Sequence, residues 1–490
     1  MISPSLIWIT VALFAVLGGG IALAAARENS GTALDYYLGG RHIGGVVAGL
    51  SYAATTYSAF MLVVLTGLTY RGGIGALGFE LIYFSGLVLL VIFGPRFWLA
   101  AKRWGFITPA EMLGARYGSR HIARLSAVIS LVFLMPYCTT QMAGIGLLLS
   151  GVTGGEITLP MAIATGAALA IFWTLVAGLR SVAWTDAVQA AVMLVSALLA
   201  VGFVVSFIGG WAEFGAQIME RNAAWLDVPG PGLWSLPTFV ALALPWFFFP
   251  LSNPQVSQRL FVTRDLAAMQ RMIFWVLGFG LIFTLIAVIW GFAALIIAPD
   301  LESPAGATPA LLGSGAVPLV VSLLLIIGIL SAAISTLDSI ALTLGSMVAR
   351  DLMNHREGSD ARQILIGRIV VIIVVLFAAW FALQNAPIVE QLAALSAAGL
   401  IVTVPAMIGA FFWRGGTAAG VLASLTGGAV TAIYMAMIKG ISVFDPTLAA
   451  AVIAVSVLLF IGVSLVTKPE PDALDFKTDL RDELNRHGVW

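Results

Sequence analysis

The sequence predicts an all-α polytopic membrane protein with about 13 transmembrane helices. Of its 490 residues, 60% are hydrophobic and only 10% are charged, whereas soluble domains contain roughly 25% charged residues. Predominantly apolar stretches of about 20 residues recur along the whole chain, and each is long enough to cross a hydrocarbon core of about 30 Å. The basic residues concentrate in alternate loops, as they do in proteins that cross a membrane many times.

The predicted spans follow one another with short connections. They lie near residues 5–26, 44–70, 73–100, 121–150, 158–178, 182–209, 237–258, 264–297, 316–349, 365–385, 390–413, 417–438 and 446–467. The loops between them are too short to bury an independent core. Any function therefore resides in the membrane bundle.

The basic residues also predict the orientation, because Lys and Arg are retained in cytoplasmic loops. An outside N-terminus leaves only Arg71, Arg221 and Lys439 outside, and the other 21 of the 24 basic residues, Arg259 among them, fall inside. We therefore expect a multi-pass protein of the plasma (inner) membrane with a cytoplasmic C-terminal tail.

Several function classes are disfavoured by composition. The formal net charge is zero, which gives no reason to expect a nucleic-acid partner. Cys138 is the single cysteine, so an internal disulfide and a thiolate cluster are excluded. The four histidines fall in loops or at membrane edges, and no nucleophile and base are paired at membrane depth, so we expect no enzyme activity.

Three acidic residues fall at membrane depth, where ionisable groups are unfavourable and usually functional. They are Glu80, Asp186 and Asp338. For Asp186, the alternative is a structural role in which it pairs with Arg180 or another base on the cytoplasmic side. The residues leave open whether Glu80 gates, binds solute or hydrogen-bonds across helices.

A hydroxyl-rich turn interrupts the apolar span near residues 316–349. Ala332, Ser335 and Thr336 are spaced i, i+3 and i+4 and share one helix face. That face can offer a carbonyl and two hydroxyl oxygens to a hard cation, which prefers oxygen ligands. The alternative is that Ser and Thr bond only to the preceding turn or to a neighbouring helix.

Two spans are interrupted, and they lie five spans apart. Polar residues break up the stretch 50–60, and the stretch 244–254 contains three prolines. Paired broken helices in corresponding halves are typical of transporters with inverted repeats and a midplane binding site. The alternative for residues 50–60 is a continuous helix that packs through small residues.

This spacing divides the chain into an ordered series of segments. We expect an extra helix and loop at 1–43, a first repeat at 44–209, an outside loop at 210–236, a second repeat at 237–413, two extra helices at 414–467 and a tail at 468–490. An odd number of spans in each repeat forces the two repeats into opposite topology.

The chain resembles the sodium:solute symporter family in three stretches. They are DYYLGGR at 35–41, GLRSVAWTDAVQ at 178–189 and STLDS at 335–339, the last followed by Asp351-Leu352. The resemblance implies a LeuT-like five-plus-five inverted-repeat core, preceded by one extra helix and followed by two. It also implies a sodium site between the first and eighth core helices.

Carried over by position, the resemblance assigns residues to ion and solute sites. The sodium ligands would be the carbonyls of Ala54, Tyr57 and Ala332 and the hydroxyls of Ser335 and Thr336. A second sodium, present in some members, would use Asp186, Asp338 and Ser339 together with Ser335. The solute would contact Ser58, Phe60, Glu80, Tyr137, Gln141, Trp246 and Phe249.

Two positions depart from the family pattern. Pro250 stands where proline and sugar transporters often have a gating tyrosine, and Thr56 stands where proline carriers have an acid. The solute region is mostly aromatic and apolar, which disfavours sugars. A short carboxylate, a pantothenate-like acid or an amino acid fits better.

The expected function is therefore sodium-coupled import of a small organic solute by alternating access. Sodium would be the coupling ion with no other cofactor, and the partners would be the solute, the ion and the bilayer, with a monomer sufficient for transport. One alternative is a proton-coupled symporter of the same fold that uses Asp186, Asp338 or Glu80. Another is a membrane sensor that binds the solute without accumulating it.

Overall fold

A computed structural model describes residues 2–27, 30–230, 233–353, 359–385 and 388–488, and within them the chain is predominantly helical. Eleven helices of this described part are long and apolar enough to cross a membrane. A bent pair, Gly45–Thr56 and Phe60–Gly72, adds one span, and the shorter apolar helix Leu236–Phe247 begins another. The all-helical class and the approximate number of spans are thus confirmed.

The helices are labelled here in chain order. The first half of the chain forms α1 (Pro4–Ala26), α2 (Ala33–Leu38), α3 (Gly45–Thr56), α4 (Thr66–Gly72), α5 (Gly75–Gly86), α6 (Val88–Trp104), α7 (Pro109–Arg116), α8 (Arg120–Val152), α9 (Leu159–Ile208) and α10 (Trp211–Asn222). The second half forms α11 (Leu236–Phe247), α12 (Phe249–Ser252), α13 (Pro254–Ser257), α14 (Leu266–Ile297), α15 (Ala307–Gly313), α16 (Leu319–Met347), α17 (Asp360–Asn385), α18 (Val389–Leu400) and α19 (Val404–Phe412). The last segments are α20 (Ala418–Ile433), α21 (Pro446–Val466), α22 (Phe476–Asp479) and α23 (Arg481–Arg486).

One glycine divides α9 into two spans. Gly178 has φ +63°, and a Cβ added there would lie 2.4 Å from the carbonyl oxygen of Tyr36. Both the left-handed backbone and the close approach favour glycine. The break separates the spans Leu159–Val176 and Gly178–Ile208, close to the predicted junction.

Both predicted interruptions are present. α3 ends at Thr56, Tyr57 is non-helical with φ −94° and ψ 72°, and the chain resumes at Phe60 after a bend of 45°. The alternative of a continuous helix at residues 50–60 is therefore wrong. The other break follows α11, where short helices α12 and α13 replace a continuous span because prolines lack a backbone donor.

Helix α16 lies at the centre of the bundle. It packs against α9, α3, α8 and α17, and every residue from Gly328 to Met347 is buried. By contrast, α1, α17 and α21 expose apolar side chains on their outer faces, as expected for helices in contact with lipid. The hydroxyl-rich turn of α16 therefore lies inside the protein and faces other helices.

Candidate ion and solute site

The predicted sodium ligands of α3 and α16 meet at the break in α3. The Thr336 hydroxyl lies 3.3 Å from the carbonyl oxygen of Ala54 and 3.2 Å from that of Thr55. The last carbonyls of a helix lack partners within the helix. The break thus brings carbonyl oxygens of one helix next to a hydroxyl of another, away from water.

Ala332 and Ser335 lie on the same buried face of α16. The Ser335 hydroxyl lies close enough to Asp186 to interact with its carboxylate, although it makes no hydrogen bond of standard geometry within the described residues. Burying a hydroxyl without a partner is unfavourable. The Ser335 oxygen is therefore available to an ion, whereas Thr336 bonds to the neighbouring helix.

The residues that follow the break point towards α8. Ser58 Oγ accepts a hydrogen bond from the Phe60 amide at 3.1 Å, and it lies 3.3 Å from the Tyr137 hydroxyl. Ser58, Phe60 and Tyr137 are all buried. The break in α3 thus connects the predicted ion residues to the predicted solute residues.

The predicted second ion group surrounds a buried arginine. Arg259 Nη2 lies 3.2 Å from Asp186 Oδ2 and donates to the Ser339 hydroxyl, and Nη1 lies 2.6 Å from Ser51 Oγ. Ser51 in turn donates to Asp186 Oδ2 at 2.7 Å. The side chains of Arg259 and Asp186 are 4% and 1% exposed, so the protein supplies Asp186 with a cation of its own.

The arginine that pairs with Asp186 is not the one named from the sequence. Arg180 Nη2 pairs with Asp35 Oδ1 at 3.1 Å, whereas Asp186 pairs with Arg259, one of the other bases that the sequence predicts on the cytoplasmic side. From the sequence, Arg259 was assigned to a cytoplasmic loop, because it follows the proline-rich break and precedes an exposed turn. A basic residue next to a broken span was the one available signal that it turns inward.

Asp338 has a different partner. Its Oδ1 lies 2.7 Å from the Thr174 hydroxyl, which belongs to the first half of α9. The carboxylate is buried, and no ion pair joins it to a base in the described ranges. Asp338, Asp186 and Ser339 therefore lie between α9 and α16, with Arg259 among them.

Aromatic rings fill the predicted solute region. Trp246 and Phe249 stack with ring centroids 5.2 Å apart, and Phe60 lies 4.9 Å from Trp246. Tyr137 lies 6.2 Å from Trp246 and 6.3 Å from Phe249. The two broken spans thus contribute to a single aromatic cluster.

Tyr83 belongs to the same cluster but was not among the residues predicted from the sequence. Its ring lies 5.4 Å from Trp246 and 5.5 Å from Phe249. A tyrosine in a span with many aromatic residues gives no local signal of a site. Only the packing of α5 against α11 brings it there.

Glu80 is the acid of this region, and it is fully buried on α5. Neither carboxylate oxygen has a hydrogen-bond partner within the described residues. The hydroxyls of Tyr57, Tyr83 and Tyr137 lie within electrostatic range of its carboxylate but make no hydrogen bond to it. The side-chain amide oxygen and nitrogen of Gln141 also have no hydrogen-bond partner among the described residues.

Comparisons with known proteins find one family that matches most of the chain. The sequence model described as the sodium:solute symporter family matches residues 36–428. The sodium/proline symporter of Haemophilus influenzae is 26% identical, and the match covers 96% of each chain. The sodium/pantothenate symporter of Escherichia coli is 31% identical over 41% of each chain.

A solved structure shares the fold. It is the substrate-bound outward-open state of a sodium-coupled sialic acid symporter, which aligns with a TM-score of 0.76 and 18% identity over 94% of this chain and 98% of that one. At this identity the likeness shows the fold alone. The LeuT-like architecture predicted from the sequence is confirmed by it.

Proposed function

Because the chain belongs to the sodium:solute symporter family, we propose that it imports a small organic solute together with sodium by alternating access. The supporting observation is the meeting of the Ala54 carbonyl and the Thr336 hydroxyl at the break in α3. Sodium is a hard cation that binds oxygen ligands. In this proposal Tyr57, Ala332 and Ser335 complete its coordination.

The sodium ion couples two parts of the bundle. Its ligands come from α3, which is broken, and from α16, which is continuous and central. Binding of the ion holds the two helices together and orders the break, and the break also presents Ser58 and Phe60 to the solute. Sodium and solute therefore stabilise the same arrangement, which is the requirement for coupled binding.

The ion supplies the driving force for accumulation. One elementary charge crossing about 100 mV releases roughly 2.3 kcal/mol. This free energy is worth about fiftyfold accumulation of a neutral solute. A second ion at Asp186, Asp338 and Ser339 would square that ratio, and it would share Asp186 with Arg259 or displace Arg259 from it.

The solute in this proposal is an amino acid, chosen from the three classes that the sequence favours. A short carboxylate or a pantothenate-like acid would leave Glu80 buried without a partner, which is unfavourable. An ammonium group would neutralise Glu80, and aromatic rings such as Trp246 also attract cations. The names of the proline-transporting relatives agree with this choice.

Uptake by purified protein in liposomes tests the sodium ligands. Ser335→Ala and Thr336→Ala each remove one oxygen, and we expect the half-saturating sodium concentration to rise about tenfold or more, since contacts to charged groups contribute about 1.5–3 kcal/mol. Ser322→Ala is the matched control, because Ser322 is a buried serine of the same helix whose hydroxyl donates only to the Val317 carbonyl among the described residues. Unchanged sodium dependence in both site variants would contradict the proposal.

A proton-coupled symporter of the same fold is the second candidate. The unpartnered carboxylate of Glu80 favours it, because a bound proton would also remove the buried charge. Uptake driven by a pH gradient in sodium-free buffer, abolished by Glu80→Gln, is the result expected for this candidate. Uptake that requires sodium at every pH would exclude it.

We also propose the predicted topology, with residues 44–209 and 237–413 as inverted repeats and the N-terminus outside. Corresponding breaks in α3 and after α11 support the repeats. The orientation is testable in a Cys138→Ser background, because Cys138 is the sole cysteine and is buried. A membrane-impermeant thiol reagent applied outside should label Ser3→Cys and spare Asn485→Cys.

A further inference from the structure

A cavity of about 810 Å³ lies between the middle of α6, the end of α19 and the C-terminal tail. Four basic side chains line it, and no acidic residue does so among the described residues. They are Arg96, Arg414, Lys477 and Arg481. Such a concentration of positive charge at the end of membrane-spanning helices calls for an anion.

Arg96 is the inner basic group of this cavity. The residue is 7% exposed, and its guanidinium lies 5.0 Å from the ring centroid of Phe412. It donates to the Ile92 carbonyl of its own helix, and no ion pair joins it to a carboxylate in the described ranges. A neighbouring cavity of about 460 Å³ is also lined by Arg96 and Ile92. The guanidinium of Arg96 therefore lies between the two cavities.

The other basic groups are only partly neutralised. Arg414 pairs with Asp475 at 2.9 Å, and Lys477 Nζ lies 3.4 Å from the carbonyl oxygen of Phe412. Arg481 has no ion pair within the described part of the chain. Of the four basic side chains, only Arg414 forms an ion pair within the described residues, and a phosphate group would be bound favourably.

The walls of the cavity identify the kind of molecule that carries this phosphate. Ile92 and Phe412 are 40% and 42% exposed, although they lie on apolar helices that cross the membrane. They extend the basic cavity towards the hydrocarbon. A ligand that satisfies both surfaces has an anionic head and apolar chains.

We propose that this cavity binds the phosphate of an anionic phospholipid, whose acyl chains lie along Ile92 and Phe412. Arg96 and Arg481 contact the phosphate, and Lys477 contributes from the tail. The bound lipid ties the tail to the middle of α6 and the end of α19. Basic pockets between membrane helices and juxtamembrane basic clusters are known sites for anionic headgroups.

Thermal unfolding of the full-length protein in detergent, after lipid removal, tests the site. Phosphatidylglycerol, phosphatidylcholine and glycerol 3-phosphate are titrated separately. We expect phosphatidylglycerol to raise the unfolding temperature and the other two to have little effect. Each basic side chain near an anionic headgroup strengthens binding about fivefold, so Lys477→Gln/Arg481→Gln should weaken phosphatidylglycerol binding about thirtyfold.

Arg120→Gln/Arg124→Gln is the matched control, since it removes two exposed arginines outside the cavity. Arg96→Gln provides a second test from the inner wall, and the tail variant remains informative if Arg96→Gln fails to fold. Equal stabilisation by glycerol 3-phosphate would show a site for soluble anions and overturn the proposal. Equal stabilisation by phosphatidylcholine, no stabilisation by phosphatidylglycerol, or equal weakening in the control variant would overturn it as well.

Discussion

Asp186 and Glu80 are equally buried but have opposite surroundings. Asp186 receives the charge of Arg259 and a hydrogen bond from Ser51. Glu80 has no partner for either oxygen within the described residues. One buried carboxylate is therefore compensated by the protein itself, whereas the other needs compensation from outside it.

This difference separates structural from transport roles. Removing one partner of a buried ion pair destabilises the folded protein strongly, because the remaining charge is neither paired nor solvated. A buried polar group without a partner destabilises the ligand-free protein. A binding role explains such a group when a ligand pairs with it. We therefore expect changes at Asp186 to affect stability and changes at Glu80 to affect binding.

The largest effect should come from Asp186→Asn. It leaves the guanidinium of Arg259 buried without its counter-charge, and we expect a loss of about 3–5 kcal/mol in unfolding free energy. Thermal unfolding in detergent measures it, and Asp186→Asn/Arg259→Gln should recover most of the loss. If the single and the double variants are equally unstable, the pair is not the source of the effect.

Glu80→Gln should produce the opposite pattern. The amide fills the same volume without a charge, so we expect the unfolding temperature to stay the same or rise. Solute affinity should fall at least tenfold, since a hydrogen bond to a charged group contributes about 1.5–3 kcal/mol. Binding titrations in saturating sodium measure it, with Glu213→Gln on the exposed face of α10 as the control. Unchanged affinity would place Glu80 outside the solute site.

Tyr83→Phe sharpens the assignment of Glu80. It keeps the ring that packs against Trp246 and removes only the hydroxyl near Glu80. We expect solute affinity to fall about fivefold, in line with about 1 kcal/mol for a neutral hydrogen bond, without loss of stability. A large fall in unfolding temperature would instead show that the hydroxyl supports the packing.

The smallest effect on stability should come from the exposed ion pair between Arg414 and Asp475. Burial alone would raise the pKa of Asp475, but hydrogen bonds from Thr478 and the charge of Arg414 outweigh it and lower the pKa. The contribution to stability is thus present above the ordinary pKa of an aspartate and is lost as pH falls through the lowered pKa of the folded state. Asp475→Asn should lower unfolding free energy by less than about 1 kcal/mol at neutral pH. A loss as large as that of Asp186→Asn would contradict the distinction between exposed and buried pairs.

Much of the architecture followed from local composition. Apolar stretches of membrane length predicted the spans, and polar or proline-rich interruptions predicted the breaks after Thr56 and Phe247. Helical periodicity predicted that Ala332, Ser335 and Thr336 share a face. These features depend on residues close in sequence, which is why they could be predicted.

The partners of the buried charges could not be predicted in this way. Arg259 and Asp186 are 73 residues apart, and the position of Arg259 beside a broken span does not indicate which acid it pairs with. The same holds for Tyr83 beside Glu80 and for the tail that closes the cavity at Arg96. The sequence alone thus determined the membrane class, the breaks and the oxygen-rich face. The tertiary structure decided which charges are neutralised, because Coulomb interactions at low dielectric depend on the distances that packing sets.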